Sequence, residues 1–180
     1  LLLEPQRTNL ITYSEDFSEW VLTNVVLTQN TIAAPDGLTT ADKIAATSVL
    51  SQHRVNFTST NSSGATTFSF FAKSAEYNSC WARIGSNTAY FDLENGLTTV
   101  NSGITSSIVD FGNGWYRCIL TKTSSGGNEI CRINLTTAYT DASDFIGDNT
   151  SGIYIWGAQH EAGSYATSYI PTNGTSVTRN

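Results

Sequence analysis

Short runs in which apolar and polar residues alternate recur along the whole chain, and turn-forming residues separate them. Such alternation places successive side chains on opposite faces of a β-strand. The Asn-Gly pair at 95–96 and the Gly-Asn-Gly triplet at 112–114 mark tight hairpins between neighbouring runs. Since no convincing amphipathic helix pattern interrupts these runs, the sequence predicts an all-β fold, an antiparallel sandwich or barrel.

The same pattern gives approximate bounds for the strands. The predicted strands are residues 25–29, 42–45, 49–57, 67–73, 80–84, 90–93, 97–100, 104–111, 115–122, 129–137 and a closing run from 152. Residues 58–65 (TSTNSSGA) are predicted to form a polar loop. Phe68, Phe70 and Ala72 are expected to share one face of their strand.

The closing run is the most aromatic stretch of the chain. Ile153 and Ile155 should face one way and Tyr154 and Trp156 the other. Gly157 breaks the alternation and is expected to end the strand. A tail then leads to residues 172–180, which we interpret as an exit segment.

The opening residues 1–23 are predicted to be an extended segment leading into a single domain that spans 1–180. Ser14 is expected to cap one helical turn, on which Phe17 and Trp20 lie three positions apart and plug one end of the core. Leu1-Leu2-Leu3 is too short for a signal peptide. The sequence contains no methionine, so we interpret it as a fragment of a longer protein.

The chain is acidic and carries few charges: 13% of its 180 residues are charged, with a net charge of −6. Nucleic-acid binding needs a concentrated basic surface, and the nine lysines and arginines are scattered along the sequence. We therefore expect no nucleic-acid partner and no membrane partner. No apolar run approaches the roughly 20 residues of a membrane-spanning helix.

The three cysteines, Cys80, Cys118 and Cys131, all fall inside predicted strands. An odd count without Cys-X-X-Cys spacing favours buried thiols over a disulfide framework or a zinc site. A single Cys118–Cys131 bridge between neighbouring strands is the alternative. Reduced cysteines would suit assembly in a cytosol.

The residues that carry most enzyme chemistry form no recognisable motif here. His53 and His160 belong to no His-Glu-X-X-His pattern, and the chain has no Gly-X-Ser-X-Gly elbow. The acids Glu15, Asp16 and Glu161 fall in loop-like surroundings. The sequence therefore indicates structural or surface histidines and a protein that is not an enzyme.

A binding face is the stronger prediction. Sugars stack on aromatic rings while neighbouring polar side chains bind their hydroxyl groups. Trp81 and Arg83 point away from the inward side of their strand, and Arg132 and Asn134 do so on a later strand. If these strands are neighbours, the four side chains share a solvent-exposed face, with Tyr90 at its edge. The alternative for Trp81 is burial beneath a covering loop.

The loop before the closing strand carries the acids Asp141, Asp144 and Asp148. Calcium takes six to eight oxygen ligands, and these carboxylates with loop carbonyls are a candidate structural calcium site. Their spacing does not match an EF-hand. No other cofactor is expected.

Several short motifs occur together and in order: residues 4–10 (EPQRTNL), 14–17 (SEDF), 34–37 (APDG), 112–117 (GNGWYR), 156–159 (WGAQ) and 168–171 (SYIP). In this combination the chain resembles the carbohydrate-binding-module-like domains of bacteriophage tail-fibre, tailspike and other virion proteins. The resemblance implies a jelly-roll sandwich, non-catalytic and appended to a larger protein. It implies residence in the virion, assembly in the host cytoplasm, and contacts with other domains or subunits of the parent protein.

The function implied by this resemblance is attachment to host-surface glycans or polysaccharides. One alternative is a structural or oligomerisation module without a ligand. A more distant one is a carbohydrate-binding module attached to a polysaccharide-degrading enzyme, because the opening is similar to that of such modules. Those modules often hold calcium with an acid in the last strand, whereas this chain has Trp156 and Gly157 near that place.

Overall fold

The computed structural model describes residues 4–101 and 103–179. In these ranges the strands are β1 Arg7–Asn9, β2 Val21–Thr23, β3 Val25–Ile32, β4 Ala41–Ala46, β5 Arg54–Asn61, β6 Gly64–Ser74, β7 Ser79–Ile84, β8 Asn87–Asp92, β9 Leu97–Val100, β10 Thr105–Gly112, β11 Trp115–Ser124, β12 Gly127–Leu135, β13 Gly152–Ala162 and β14 Val177–Arg179. One 3-10 turn, Phe17–Glu19, is the helical segment of this part of the chain, and no described helix has the length and hydropathy of a membrane span. The leucine opening, residues 1–3, and Asn180 lie outside the described residues.

Two six-stranded antiparallel sheets form the body of the protein. The first sheet has the order β10-β11-β6-β13-β4-β3, and the second has the order β2-β5-β12-β7-β8-β9. Inward side chains of both sheets form one buried cluster, so the sheets are layered as a sandwich. The predicted antiparallel β-sandwich is confirmed, while the jelly-roll assignment and the single-domain boundary remain predictions.

The core contains the inward faces that alternation predicts. Phe68, Phe70 and Ala72 on β6 pack there, as do Ile153 and Ile155 on β13. Each is fully buried, because both neighbours in the sheet and the opposite sheet cover it. The period of two in the sequence therefore identifies the inward side chains correctly in these central strands.

Phe17 and Trp20 close one end of this core, as predicted. Their ring centroids lie 4.9 Å apart, and Trp20 Nε1 donates a hydrogen bond to the carbonyl of Tyr13 at 2.9 Å. The prediction that Ser14 caps this helical turn was wrong, however. Asp16 caps the turn by accepting from the Ser18 backbone N–H, while Ser14 is buried and bonded to Thr172 instead.

The polar stretch predicted as a loop at 58–65 is mostly strand. β5 continues to Asn61 and β6 starts at Gly64, so the connection is short. Thr58 and Thr60 are exposed while Ser59 and Asn61 are buried. This is the usual alternation of a β-strand, but all four side chains are polar, so the hydrophobic pattern does not reveal it. Conversely, residues 49–53 are not part of β5, and Ser51 makes only an isolated bridge to Phe145.

Gly157 does not end the closing strand. β13 runs to Ala162 with a register shift between Trp156 and Gln159, and Gly157 sits in that shift with φ +58°. A left-handed residue in a bulge bends the strand without stopping it. Pairing with β6 resumes at Gln159, opposite Ser69.

All three cysteines are buried free thiols, so the alternative Cys118–Cys131 bridge is wrong. Each lies on an inward face and contributes to the core like a small apolar residue. Burial, with the neighbouring thiol of Cys80, raises the pKa of Cys118 well above its usual value.

The two ends of the chain meet through the buried side-chain amide of Asn9. Its Nδ2 donates to the carbonyls of Ala158 at 3.1 Å and Ile170 at 2.9 Å. Its Oδ1 accepts from the backbone N–H groups of Ile11 and His160, both at 3.1 Å. One side chain thus satisfies four backbone groups from the opening segment, β13 and the tail.

A second set of bonds holds the tail behind β13. Glu161 is fully buried and accepts from the backbone N–H of Thr167 at 3.0 Å and from its hydroxyl at 2.7 Å. Arg7 Nε lies 3.6 Å from this carboxylate. The exit segment then returns to the body, since β14 pairs antiparallel with β1.

Replacement of Asn9 should therefore be among the costliest polar substitutions. Asn9→Ala leaves four buried backbone groups without partners, and we expect a loss of about 3 kcal/mol or more in the free energy of unfolding. Urea denaturation measures it. Asn173→Ala, which removes an exposed amide from the same tail, is the control and should change stability by less than about 0.5 kcal/mol. Equal effects of the two substitutions would contradict the role assigned to Asn9.

The bulge makes a second prediction. A Cβ at Gly157 would lie 2.9 Å from Phe71 Cδ2, whereas one at Gly37 would meet nothing within 4 Å. Both glycines have positive φ, +58° at Gly157 and +88° at Gly37, so a Cβ strains the backbone at both positions, and no less at Gly37. Gly157→Ala should lose about 2 kcal/mol more stability than Gly37→Ala in chemical denaturation, because only the former overpacks the ring.

Candidate functional site

The predicted binding residues lie on the outer face of the second sheet. Strand β12 pairs with β7, which places Arg132 opposite Arg83 and Asn134 opposite Trp81. Strand β8 pairs with β7 on the other side, which places Tyr90 opposite Trp81. The condition that these strands are neighbours is therefore met, and the five residues share one face.

A sixth residue, Arg54, belongs to the same face. β5 pairs with β12 on the side away from β7, and Arg54 stands opposite Asn134. Sequence reasoning missed it because nothing local shows that β5 adjoins β12. The alternation around Arg54, next to the fully buried Val55, was the available signal. We call these residues the arginine face: Arg54, Trp81, Arg83, Tyr90, Arg132 and Asn134.

Trp81 is buried rather than exposed, with 1% of its surface accessible. The guanidinium carbon of Arg83 lies 4.9 Å from the centre of the indole ring. Arg83 follows Trp81 by two residues, so its long side chain extends on the same face and lies over the ring. The expectation of a solvent-exposed Trp81 is wrong, and its ring cannot serve as an open stacking surface. Tyr90 is half-buried and thus less covered than Trp81.

The three arginines of this face have no acidic partner among the described residues. The ion pairs found there use Arg7, Lys43, Lys122 and Arg179 as cations. Burial lowers the pKa of Arg132, and the adjacent charges of Arg54 and Arg83 lower it further. No carboxylate opposes that shift, so the positive charge of the face is uncompensated.

Several polar atoms of the arginine face lack hydrogen-bond partners within the protein. They are Arg54 Nε, Arg132 Nε and both side-chain amide atoms of Asn134, all shielded from solvent. Arg83 Nε is engaged, donating to Thr88 Oγ1 at 2.8 Å, and Arg54 Nη1 donates to Gln52 Oε1 at 3.3 Å. The guanidinium groups of Arg54 and Arg132 and the amide of Asn134 therefore keep hydrogen-bonding capacity that the protein does not use.

The three aspartates considered for calcium do not come together. Asp141 accepts from the backbone N–H of Ser143, and Asp148 accepts from the backbone and hydroxyl of Ser151. These are local turns, in which the carboxylate bonds the chain two or three residues on. In residues 4–101 and 103–179 no three His, Cys, Asp or Glu side chains are grouped so as to hold a metal ion. Asp141, Asp144 and Asp148 therefore do not form the expected site.

Both histidines are buried and structural. His53 places its ring nitrogens against the carbonyls of Asn24 at 2.6 Å and Phe145 at 2.9 Å, so it ties two loops to the sheet edge. His160 lies between the hydroxyls of Ser59 and Thr66, the latter at 2.7 Å. Burial lowers the pKa of His160 from 6.5 to about 4.

Comparisons with known proteins give little further information. No protein-family model matches the chain, and no curated protein matches it. One solved structure that matches is described as the crystal structure of the enzymatically active domain of bacteriophage CBA120 tailspike protein 4. It shares 17% sequence identity with a TM-score of 0.45, and the alignment covers 84% of this chain but 21% of that one.

The description of that structure contradicts the expectation that the chain is not an enzyme, and we withdraw that expectation. The chain spans about a fifth of the matched protein's length, at 21%. At a TM-score of 0.45 the likeness carries no argument for a particular fold, activity or substrate.

The lowered pKa of His160 predicts a pH dependence of stability. Between pH 6.5 and about 4 the unfolded chain binds a proton at this ring and the folded chain does not, so the free energy of unfolding falls as the pH falls. The stability of the wild type relative to His160→Gln should decrease by about 3 kcal/mol from pH 7 to pH 4. Urea denaturation at a series of pH values measures this difference.

Burial also raises the pKa of Asp42, to about 6. Asp42 is present in both proteins, so its opposite contribution cancels in the comparison. A difference that stays constant over this pH range would show that His160 titrates normally in the folded state.

Proposed function

We propose that this chain is a glycan- or receptor-binding module of a phage tail-associated protein of the tail-fibre or tailspike type. The phage assignment rests on the ordered motifs of the sequence, and the binding assignment rests on the arginine face. A protein of this kind resides in the virion and contacts a polysaccharide of the host surface.

The observation that carries the proposal is the arrangement of polar side chains on the arginine face. Arg54, Arg132 and Asn134 carry polar atoms that are buried in the face and have no partner in the protein, and Tyr90 adds a half-buried aromatic side chain. All are fixed on central strands of a six-stranded sheet, so little conformational freedom is lost on binding. Saccharides are bound by such combinations of planar polar groups and aromatic rings.

The second candidate function is a structural or oligomerisation module. Exposed apolar residues on the same outer face favour it: Val21 is 62%, Leu97 53% and Ile130 38% exposed. They stand apart, on β2, β9 and β12, whereas a stable protein interface needs a contiguous apolar centre. Attachment to a polysaccharide-degrading enzyme remains the more distant alternative.

Tyr90 gives the most direct test of glycan binding, because Trp81→Ala would also remove a buried core-like side chain. We expect Tyr90→Ala to weaken binding of the best-binding polysaccharide on a glycan array by roughly tenfold or more. Isothermal titration calorimetry with that polysaccharide measures the change.

Tyr165→Ala is the matched control, since Tyr165 is 51% exposed on the tail, away from the arginine face. It should leave affinity unchanged. Absence of saturable binding to every host polysaccharide, together with a stable oligomer in analytical ultracentrifugation, would favour the structural module instead.

A further inference from the structure

We infer that the arginine face recognises an acidic polysaccharide and binds the oxyanion of its sugar units between Arg54, Arg83 and Arg132. This inference rests on the proposed glycan-binding function and specifies the chemical class of the ligand. The shared chemistry is a carboxylate or sulfate group carried on a saccharide.

The distribution of cations over the molecule is the first argument. The chain has nine lysines and arginines and a net charge of −6, and all nine cations lie within the described residues. Four of them pair with carboxylates. Of the remaining five, three gather on the arginine face, although an acidic protein has carboxylates to place beside them. The concentration of positive charge at one place on an otherwise acidic chain suits a small anionic group.

The position of the three arginines in the sheet is the second argument. Arg132 and Arg83 stand directly opposite each other across the β12–β7 pairing, and Arg54 is diagonal to Arg132 across the β12–β5 pairing. Arg132 is therefore in reach of both Arg83 and Arg54 on its neighbouring strands, whereas Arg54 and Arg83 are two strands apart and share a ligand only through their long side chains. A planar guanidinium binds the two oxygens of a carboxylate or sulfate in parallel, which an ammonium group cannot do.

Asn134 is the third and independent observation. It is 0% exposed and lies between Arg54 on β5 and Trp81 on β7, yet neither its Nδ2 nor its Oδ1 has a partner in the protein. A buried amide without hydrogen bonds costs stability unless a ligand or an ordered water supplies them. A saccharide hydroxyl both donates and accepts, so it can satisfy this amide once a neighbouring arginine side chain moves aside to bind the adjacent oxyanion.

The energetic consequence can be measured without a ligand. Three neighbouring positive charges repel one another; burial lowers the pKa of Arg132, and this repulsion lowers it further. Arg132→Gln should therefore keep or raise the unfolding temperature of the free protein. An arginine that served only to stabilise the fold would lower that temperature when it was replaced.

The experiment uses the chain with three polymers: polygalacturonate carries carboxylates, dextran sulfate carries sulfates, and dextran is neutral. Isothermal titration calorimetry and thermal unfolding are measured at low salt for the wild type, Arg54→Gln, Arg132→Gln and Lys73→Gln. Lys73 is the control because it lies on the first sheet, is not paired with a carboxylate, and donates only to the Asn113 carbonyl. Its replacement removes the same charge from another face.

We expect at least one acidic polymer to bind the wild type and raise its unfolding temperature, and dextran to do neither. Each arginine substitution should weaken this binding roughly tenfold or more, and Lys73→Gln should change it less than about twofold. Binding should weaken as salt rises, since ionic contacts are screened. The choice between polygalacturonate and dextran sulfate identifies carboxylate or sulfate as the recognised group.

Failure of this inference can be distinguished from failure of the proposed glycan-binding function. Equal binding of dextran and the acidic polymers, unaffected by the arginine substitutions, would overturn this inference and leave glycan binding intact. If the chain binds no polymer but self-associates, and Arg132→Gln abolishes the association, the arginine face is a protein interface and both proposals fail. If Lys73→Gln weakened binding of the acidic polymers as much as the arginine substitutions do, the binding would be nonspecific charge attraction. That result would also overturn the inference.

Discussion

The hydrogen bonds of one buried amide, Asn9, join the opening segment and the tail to β13. β13 lies in the interior of the first sheet between β6 and β4, so both ends of the chain are anchored to the middle of the body. The motifs that create the family resemblance supply the surrounding bonds. Arg117, from one of them, is buried and donates to the carbonyl of Thr167 at 2.7 Å, and Gln159, from another, accepts from the Ile170 backbone N–H at 2.7 Å. Residues of these motifs therefore stabilise the fold. The residues of the arginine face lie outside the motifs.

The sequence predicted some features of the fold correctly and others wrongly, and the physical reason differs between them. Alternation identified the inward faces of β6 and β13, because burial between two sheets requires apolar residues at every second position. It failed for Thr58–Asn61, where hydroxyl and amide side chains occupy a strand, and at Gly157, where a bulge interrupts the period without ending the strand. Local sequence also gives no information on which strands pair over long distances. For that reason Arg54 was missed, although Arg83, Arg132 and Asn134 were placed on one face.

The sequence left two alternatives open for Trp81, exposure and burial, and the structure shows burial. Alternation assigns a residue to the outer face of a sheet, but it does not say what lies above that face. Here the guanidinium of Arg83 packs over the indole ring and shields it from solvent. The indole of Trp81 therefore contributes to this face by packing against the Arg83 guanidinium and not as an open aromatic surface. The bonds of Asn9 join β1, β13 and the tail, and none of them involves a residue of the arginine face.

The pairing of β1 with β14 has a mechanical consequence. The pairing is antiparallel and sets Arg7 opposite Arg179, so the chain enters and leaves this ladder at the same end. A pulling force that separated these two residues would break the hydrogen bonds of the ladder one after another. It would not load all of them at once in shear. The short ladder would yield first. The two packed sheets behind it would carry load only afterwards.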